Sequence, residues 1–246
     1  MNPQPLFKAI ANRYQEGHGD DYLSYELANE ENFLRLQELA LKDAGFDEIE
    51  DALKNRTAQT GQQPRVLDIG CATGALLVKL RDREWACTGV EISPSACYAR
   101  RERFLDVRNL PLEENRFPAA SFDLVLASHL IEHLNNPAGF VEEVCRVLAP
   151  GGRFIVSTPN ISGFQAKLFR GRWRSAIFDH LYLFSIKTLS RLLAEKGFAI
   201  ERVCTWGGLA AGIAPAALKR IADKAAKKFG FGDVMLIRAV KDAGEG

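Results

Sequence analysis

The 246 residues are 47% hydrophobic and 26% charged with a net charge of +1, which is ordinary for a globular protein. Five scattered cysteines without a Cys-x-x-Cys pair argue against a disulfide framework and against a thiolate metal site. The sequence shows no export signal near Met1 and no run of 18 apolar residues, so we expect a cytoplasmic protein without a transmembrane segment.

The first 61 residues are predicted to form a helical extension, and residues 62–246 a single α/β domain. Leucines and an alanine crowd one predicted helical stripe after two acids: Leu34, Leu36, Leu39, Ala40 and Leu41. The stretch Tyr14–Gly19, which contains His18, is polar and glycine-rich. It is either a flexible connector or a lid that closes over a bound ligand.

The rest of the chain is organised around Val66–Gly74. Its apolar residues predict a short buried strand interrupted by Asp68, after which Gly70 can turn with a positive φ. Gly74 lets the next helix pack closely against this strand. A parallel strand that passes through a glycine turn into a helix places a ligand at its carboxyl end. Asp68 lies at that edge, where a carboxylate favours a ligand that carries an ammonium group.

This Asp-x-Gly-x-x-x-Gly pattern resembles motif I of the class I S-adenosylmethionine-dependent methyltransferases, with Ala72 where a middle glycine is commoner. The alternative is the Gly-x-Gly-x-x-Gly fingerprint of dinucleotide enzymes, whose second glycine lets the backbone approach a pyrophosphate. Ala72 occupies that position here, and Asp68 would repel a pyrophosphate. The pattern therefore favours a methyltransferase.

A second parallel strand is predicted over Ala86–Ile92, and Glu91 at its end follows Asp68 by 23 positions. A carboxylate at this place can accept hydrogen bonds from both ribose hydroxyls of an adenosine. Dinucleotide enzymes use the same device, so Glu91 indicates an adenosine-containing ligand without separating the two families. The other interpretation is a solvated acid at a strand end.

The resemblance extends through three further stretches. In Phe104–Leu112 it implies that Asp106 takes the adenine amino group and that the amide of Val107 faces the ring. Phe117–Asn136 contains the family's Phe-Asp-x-Val and Glu-His patterns, and Arg-Val-Leu-Ala-Pro-Gly-Gly follows. The chain is therefore similar to the methylases of the ubiquinone and menaquinone pathways.

The resemblance implies an α/β, Rossmann-like fold with a seven-stranded sheet in the order 3-2-1-4-5-7-6 and with strand seven antiparallel. It also implies S-adenosylmethionine as the cofactor. The implied cofactor-binding residues are Asp68, Gly70, Cys71, Ala72, Gly74, Glu91, Ile92, Asp106, Val107, Ala127 and Ser128.

Strands six and seven are predicted at Phe198–Thr205 and Val234–Val240, with a helical insertion over Ile213–Phe229 between them. The apolar face of this insertion includes Ala225 and Phe229, and its other positions are rich in lysine and arginine. We expect this helix to lie on the core. Contact with a membrane surface or an anionic substrate is the alternative.

The run His129-Leu130-Ile131-Glu132-His133 matches a metalloprotease pattern, His-x-x-Glu-His. A zinc site of that kind needs both histidines on one face of a helix, whereas this run begins at the end of a buried strand. We therefore predict no metal. The alternative is an auxiliary metal, because some quinone O-methylases of the family carry acids and a histidine here and have been linked to a divalent ion.

The resemblance implies methyl transfer to a small molecule, and O-methylation is favoured. His180 is the favoured base or acceptor-orienting group, since apolar residues surround it in the sequence; His133 and His129 are the alternatives. DNA is not expected as a substrate, because Ser128-His129-Leu130 stands where amino-group DNA methylases carry an Asn-Pro-Pro-Tyr-like run. Two other functions remain open: a non-catalytic cofactor-binding partner subunit, and an RNA methyltransferase served by the basic C-terminal half.

Overall fold

The computed structural model describes residues 19–208 and 216–242, which contain one seven-stranded sheet. The strands are β1 Arg65–Ile69, β2 Ala86–Val90, β3 Asp106–Arg108, β4 Phe122–Ser128, β5 Leu148–Pro159, β6 Phe198–Trp206 and β7 Val234–Lys241. Their order is β3-β2-β1-β4-β5-β7-β6, and β7 runs antiparallel to both of its neighbours. The predicted fold class, including the strand order, is confirmed.

Eight α-helices lie in the described residues. They are α1 Gly19–Asp43, α2 Phe46–Thr60, α3 Ala75–Arg81, α4 Ser95–Arg103, α5 Pro137–Val147, α6 Phe164–Phe169, α7 Ile186–Glu195 and α8 Ala216–Phe229. A further 3-10 turn at Ile131–His133 follows β4. None of these helices is long and apolar enough to cross a membrane.

Helices cover both faces of the sheet, because successive residues of a strand point to opposite sides. On β1, Leu67 belongs to a core that includes Phe140 of α5 and Leu193 of α7. Its neighbour Val66 belongs to a second core, which includes Leu77 of α3. With both faces buried, the carboxyl ends of β1, β2 and β4 form an edge that is open to ligands.

The described part of the predicted N-terminal extension packs on the second core through α2. Phe46 of α2 stacks on Trp85 with ring centroids 5.5 Å apart, and the Trp85 indole donates to Glu50 at 2.9 Å. Helix α2 ends at Gly61, which has a φ of 72°. The division between 1–61 and 62–246 stays a prediction, although α2 shares its core with the sheet.

Helix α1 buries a different face from the predicted stripe. Leu41 is 8% exposed, whereas Leu36 and Leu39 are 63% and 51% exposed. Consecutive helical residues are separated by about 100°, so these five positions, spread over about two turns, point in several directions and cannot share a face. The partly buried positions Leu34 and Gln37 lie on the same side as Leu41 instead.

The predicted insertion between β6 and β7 is present as α8, whereas Ile213 and the two residues after it lie outside the described residues. Its described part buries Ala226, and Phe229 is 66% exposed. The expectation that Phe229 faces the core is therefore wrong. Its ring stacks instead on Phe231, with centroids 6.0 Å apart, just beyond the end of the helix.

Candidate functional site at the carboxyl edge of the sheet

The turn after β1 has the backbone that its glycines predict. Gly70 and Gly74 both have a φ of 77°. A Cβ on Gly74 would lie 2.5 Å from Leu105 Cδ1, so no larger residue fits there without a shift. Ala72 has a φ of 48°, a left-handed conformation that glycine adopts without strain. The amides of Gly70 and Cys71 donate to the Val90 carbonyl, which ties the turn to β2.

Asp68 is a buried carboxylate at the end of β1. Its side chain is almost fully enclosed, and its Oδ2 has no hydrogen-bond partner among the described residues. Burial raises the pKa of Asp68 to about 7, with a further contribution from the charge of Glu91. An unpaired buried carboxylate is costly, so this position favours a ligand that brings a cation or a donor.

Asp68 borders a cleft between the sheet and α1. Ala127 and Ser128, at the end of β4, line the same cleft, together with Ser157 of β5 and Gln37 of α1. The hydroxyls of Ser128 and Ser157 lie 3.0 Å apart. The structure thus brings together Asp68, Ala127 and Ser128, whose role in cofactor binding stays a prediction. Ser157 was not among the predicted site residues, although its place at the end of the neighbouring parallel strand was a usable signal.

Glu91 lies beside the glycine turn, where its carboxylate has backbone partners. Oε2 accepts from the Ala72 amide at 3.0 Å, and Oε1 accepts from the Ser93 amide at 2.7 Å. A carboxylate oxygen has a second lone pair, so both oxygens can still accept from a ligand. The sequence did not predict that Glu91 also holds the turn and the start of α4 in place.

Asp106 lies further from this edge than the resemblance implies. It begins β3 opposite Thr88, about three residues, or ~10 Å, below the level of Glu91. Its carboxylate is exposed and pairs with Arg108 at 3.0 Å. The Val107 side chain is buried, and its amide donates to the Leu105 carbonyl. The adenine contacts expected of Asp106 and Val107 stay predictions, and the structure does not bring these two residues to Glu91.

Asn109 lies beside Glu91, at the place where the acid that contacts adenine was expected. Its Nδ2 donates to the Glu91 carbonyl at 2.7 Å and to the Ser93 carbonyl at 3.3 Å. Asn109 was not among the predicted site residues, because the register of a three-residue strand cannot be assigned from its pattern. Ile92, which the sequence also placed in the site, lies between the two residues that Asn109 holds.

Helix α1 covers the glycine turn through two acids. Glu30 accepts a hydrogen bond from the Thr73 hydroxyl at 2.6 Å and pairs with Arg103 at 2.6 Å. Glu26 accepts from the Ser95 hydroxyl at the start of α4. The sequence placed a lid at Tyr14–Gly19, but all of that stretch except Gly19 lies outside the described residues, as does His18.

Two predicted histidines meet on the β4 side of the site. The rings of His133 and His180 are 4.8 Å apart at an angle of 76°. The Nδ1 of His133 lies 2.9 Å from the Asp179 carbonyl, and the Nδ1 of His180 lies 2.7 Å from the Ser175 carbonyl. A carbonyl oxygen can only accept, so each Nδ1 must carry the hydrogen, and each Nε2 is left as an acceptor. Burial lowers the pKa of His180.

His129 and Glu132 complete this cluster. His129 follows β4 with a φ of 51°, and its exposed ring has Nδ1 3.4 Å from Glu132 Oε1. Glu132 is fully buried, and its Oε2 accepts from the Thr158 hydroxyl at 2.9 Å. Burial acts to raise the pKa of Glu132, but His129, a backbone hydrogen bond and the charge of His133 together outweigh it, so the net direction is downward.

One potential ligand atom from each of Glu132, His133 and His180 lies within 4.8 Å of the others, a spacing that a metal ion could bridge. The run His129–His133 indicated Glu132 and His133 as possible ligands, but nothing in the sequence indicated that His180 approaches them from a distant segment. Oε2 of Glu132 is bonded to Thr158, whereas Oε1 makes no hydrogen bond among the described residues and lies 3.4 Å from the His129 ring. The absence of a metal therefore stays a prediction.

Comparison with known proteins identifies a family that this chain matches. Residues 36–203 match the model of a family described as a methyltransferase domain. A probable S-adenosylmethionine-dependent methyltransferase of Mycolicibacterium smegmatis is 35% identical over 138 residues, covering 55% of this chain and 52% of that protein. The tocopherol O-methyltransferase of Arabidopsis thaliana is 27% identical over 205 residues, covering 72% and 57%. The chain thus spans about half the length of the curated relatives it matches.

Solved structures show the same fold. The crystal structure of an S-adenosylmethionine-dependent methyltransferase of Thermotoga maritima, a possible histamine N-methyltransferase, superposes with a TM-score of 0.58. The two chains are 22% identical, and the match covers 90% of this chain and 99% of the other. At this identity the likeness concerns the fold alone.

Proposed function

The chain belongs to the methyltransferase-domain family, as a class I S-adenosylmethionine-dependent methyltransferase, and from this membership we propose that it methylates a small-molecule acceptor at oxygen. S-adenosylmethionine is the cofactor of this family. The observation that carries the proposal is Asp68, whose buried Oδ2 has no partner among the described residues and lies beside the glycine turn.

The residues at the edge of the sheet fit this cofactor. When bound, S-adenosylmethionine supplies an electrophilic methyl group on a sulfonium. Asp68 can accept from the ammonium of its amino-acid part, and Glu91 can accept from the ribose hydroxyls. Gly70 and Gly74 give the turn beside the ligand its positive-φ backbone, and Gly74 also allows the close approach of Leu105. Helix α1 lies over the same edge, where Glu30 accepts from the Thr73 hydroxyl.

The histidines support an oxygen acceptor. A hydroxyl must lose its proton as it attacks, so a base contributes where the acceptor arrives protonated. His180 and His133 each present an Nε2 that can take this proton, since their Nδ1 atoms donate to backbone carbonyls. The sulfonium and an acceptor oxyanion neutralise each other during transfer, so a closed site and in-line positioning suit the reaction.

Incubation of the protein with labelled S-adenosylmethionine and a metabolite extract tests the proposal. We expect a labelled small molecule whose new methyl group is bonded to oxygen, and much less of it from an Asp68→Asn control at low cofactor concentration. Label found only in added RNA would favour an RNA methyltransferase. Cofactor binding without any labelled product would favour a non-catalytic partner subunit, and either result would contradict the proposal.

Removing the Glu91 carboxylate should weaken cofactor binding. Glu91→Ala leaves the ribose hydroxyls without an acceptor, which costs about 1–3 kcal/mol, or roughly 5- to 150-fold in affinity. Calorimetry with S-adenosylmethionine and with its demethylated product measures this loss. Because Glu91 also holds the Ala72 and Ser93 amides, thermal unfolding must be compared in parallel. Glu113→Ala, at an exposed acid, serves as the control.

Chelation should leave turnover unchanged. Oε2 of Glu132 accepts from the Thr158 hydroxyl, and a cation at Oε1 would have to displace the contact with the His129 ring at 3.4 Å. Activity after dialysis against EDTA should equal that of the untreated protein. A loss that magnesium or zinc restores would show that Glu132, His133 and His180 act as metal ligands.

A further inference from the structure

We propose that Asp233, immediately before β7, is a positioning residue for His180, because its carboxylate anchors the loop that carries the imidazole. This inference rests on the proposed function only in giving His180 a role at the acceptor site. Asp233 itself lies at the start of the strand between β5 and β6, and the loop belongs to the connection between β5 and α7.

Asp233 is fully buried, and its side chain has two donors. Oδ2 accepts from Arg174 Nε at 2.6 Å, and Oδ1 accepts from the Trp173 indole nitrogen. A buried carboxylate is tolerated only when it is paired and hydrogen-bonded. The backbone of Asp233 is fixed as well, because its amide donates to the Gly207 carbonyl at 3.0 Å and its carbonyl accepts from Asn160 at 2.8 Å. The carboxylate is therefore a fixed point at the end of the sheet.

A short series of bonds leads from this fixed point to the imidazole. The indole of Trp173 is buried against Asp233, and the Trp173 carbonyl accepts from the Ala176 amide at 2.9 Å. This turn presents the Ser175 carbonyl, which accepts from Nδ1 of His180 at 2.7 Å. The His180 amide closes a second turn by donating to Ile177 at 3.2 Å.

The loop has few other buried side chains. Between Trp173 and His180 only Ser175 is buried, whereas Ile177 is 50% exposed and Phe178 is 65% exposed. Buried apolar side chains are therefore few in this segment, and the pair formed by Trp173 and Asp233 attaches its N-terminal side. Beyond His180, the Tyr182 amide donates to the Glu132 carbonyl at 3.1 Å. The loop also contains Asp179, whose carbonyl accepts from His133. Its position thus sets both histidine rings.

The chemistry of Asp233 is specific to a carboxylate. Trp173 and Arg174 each donate to a different oxygen, and an asparagine offers one oxygen and one amino group. One of the two donors would then face another donor. The loop should lose its fixed position, and the His180 ring should leave its place beside His133.

Nuclear magnetic resonance of histidine-labelled protein, without cofactor or acceptor, tests the proposal. The chain has four histidines, so the ring signals can be assigned with His133→Gln and His180→Gln variants. We expect a nuclear Overhauser effect between the rings of His133 and His180 in the wild type, because their centroids are 4.8 Å apart. It should disappear in Asp233→Asn and in Trp173→Phe, which keeps an apolar ring but lacks the indole donor.

Arg174→Gln is the matched control. The Arg174 side chain is 63% exposed, and the indole still holds Asp233 in this variant, so the ring contact should persist. In assays with labelled cofactor, Asp233→Asn should lower turnover about tenfold or more, because small misplacements of a reacting group cost that much. Its cofactor dissociation constant should stay within twofold of wild type. General destabilisation would not lower turnover while leaving cofactor affinity unchanged.

Persistence of the ring contact in folded Asp233→Asn would overturn the proposal. Should that variant fail to fold, Trp173→Phe decides the question by the same measurement, because it leaves the charge in place. The spectra involve no catalysis. If His180→Ala retains full turnover, the assignment of His180 as base fails, while the effect of Asp233 on the ring position is still measured independently.

Discussion

Replacing His180 with alanine should lower turnover by about 10²–10⁴-fold, the usual contribution of a general base, and leave cofactor affinity nearly unchanged. Because Nδ1 donates to the Ser175 carbonyl, Nε2 is the acceptor that can take a proton from the substrate. Burial lowers the pKa of His180, so the imidazole is neutral at pH 7 and ready to act. Single-turnover assays with labelled cofactor and calorimetry measure the two quantities.

The matched variants are His133→Ala and His129→Ala. The first removes the ring that touches His180, so it should have an intermediate effect, and the second removes an exposed ring and should have a small one. Activity should be lost as the pH falls through the lowered pKa of His180. The pH at which turnover falls by half on the acidic side should therefore lie below the ordinary pKa of an imidazole. Turnover of His180→Ala within threefold of wild type would exclude it as the base and favour the histidines after β4.

Replacing Asp68 with asparagine should weaken S-adenosylmethionine binding by about 10- to 100-fold. The change keeps the shape of the side chain but removes a charge-assisted hydrogen bond, worth about 1.5–3 kcal/mol. Calorimetry gives the dissociation constant. Asp106→Asn is the control, because Asp106 is exposed and paired with Arg108. A larger loss for Asp106→Asn than for Asp68→Asn would favour the family role of Asp106 and contradict the importance of the buried acid.

The affinity should also depend on pH through Asp68. Its pKa of about 7 means that the free protein binds a proton at this carboxyl below neutral pH. A cationic ligand needs the ionised form, so the affinity should fall about tenfold for each pH unit below 7 and level off above it. The Asp68→Asn variant should show no such slope. A flat profile for the wild type between pH 5 and 8 would contradict the assignment.

The same raised pKa has a consequence for stability without ligand. The folded protein binds the Asp68 proton more tightly than the unfolded chain does. The stabilisation that this proton contributes to folding is therefore complete below the ordinary pKa of an aspartate, near pH 4. It is lost as the pH rises towards the folded pKa of about 7. The free energy of unfolding should therefore decrease as the pH rises across this range, and the part of this decrease that comes from Asp68 should be absent in Asp68→Asn. Denaturant titrations at several pH values measure it.

Much of the fold could be predicted from the sequence because local patterns determine it. The buried strand at Val66–Ile69, the glycine turn and the acid at Glu91 are all within one strand–helix–strand unit, whose geometry is narrowly restricted. Asp68, Ala127 and Ser128 meet at one cleft because parallel strands end at the same edge. The proximity of these residues could be predicted from the strand order alone.

The remaining parts of the site depend on contacts between distant segments. Nothing local to Glu30 indicates that it bonds Thr73, and nothing near His180 indicates that its ring meets His133. The register of β3, which places Asn109 rather than Asp106 beside Glu91, follows from three paired residues. The buried face of a helix with many apolar residues is equally difficult to predict, as the exposed side chains of Leu36 and Leu39 illustrate.

The position of β7 between β5 and β6 constrains the order in which the chain can assemble. During synthesis β6 is made first, but its neighbour in the sheet is β7, so it cannot join until residues 234–241 have emerged. Until then the edge of β5 also lacks its partner. Unpaired edges are templates for pairing with other chains. A nascent chain that stalls between Trp206 and Val234 should therefore be the form of this protein most prone to aggregate and most dependent on chaperones.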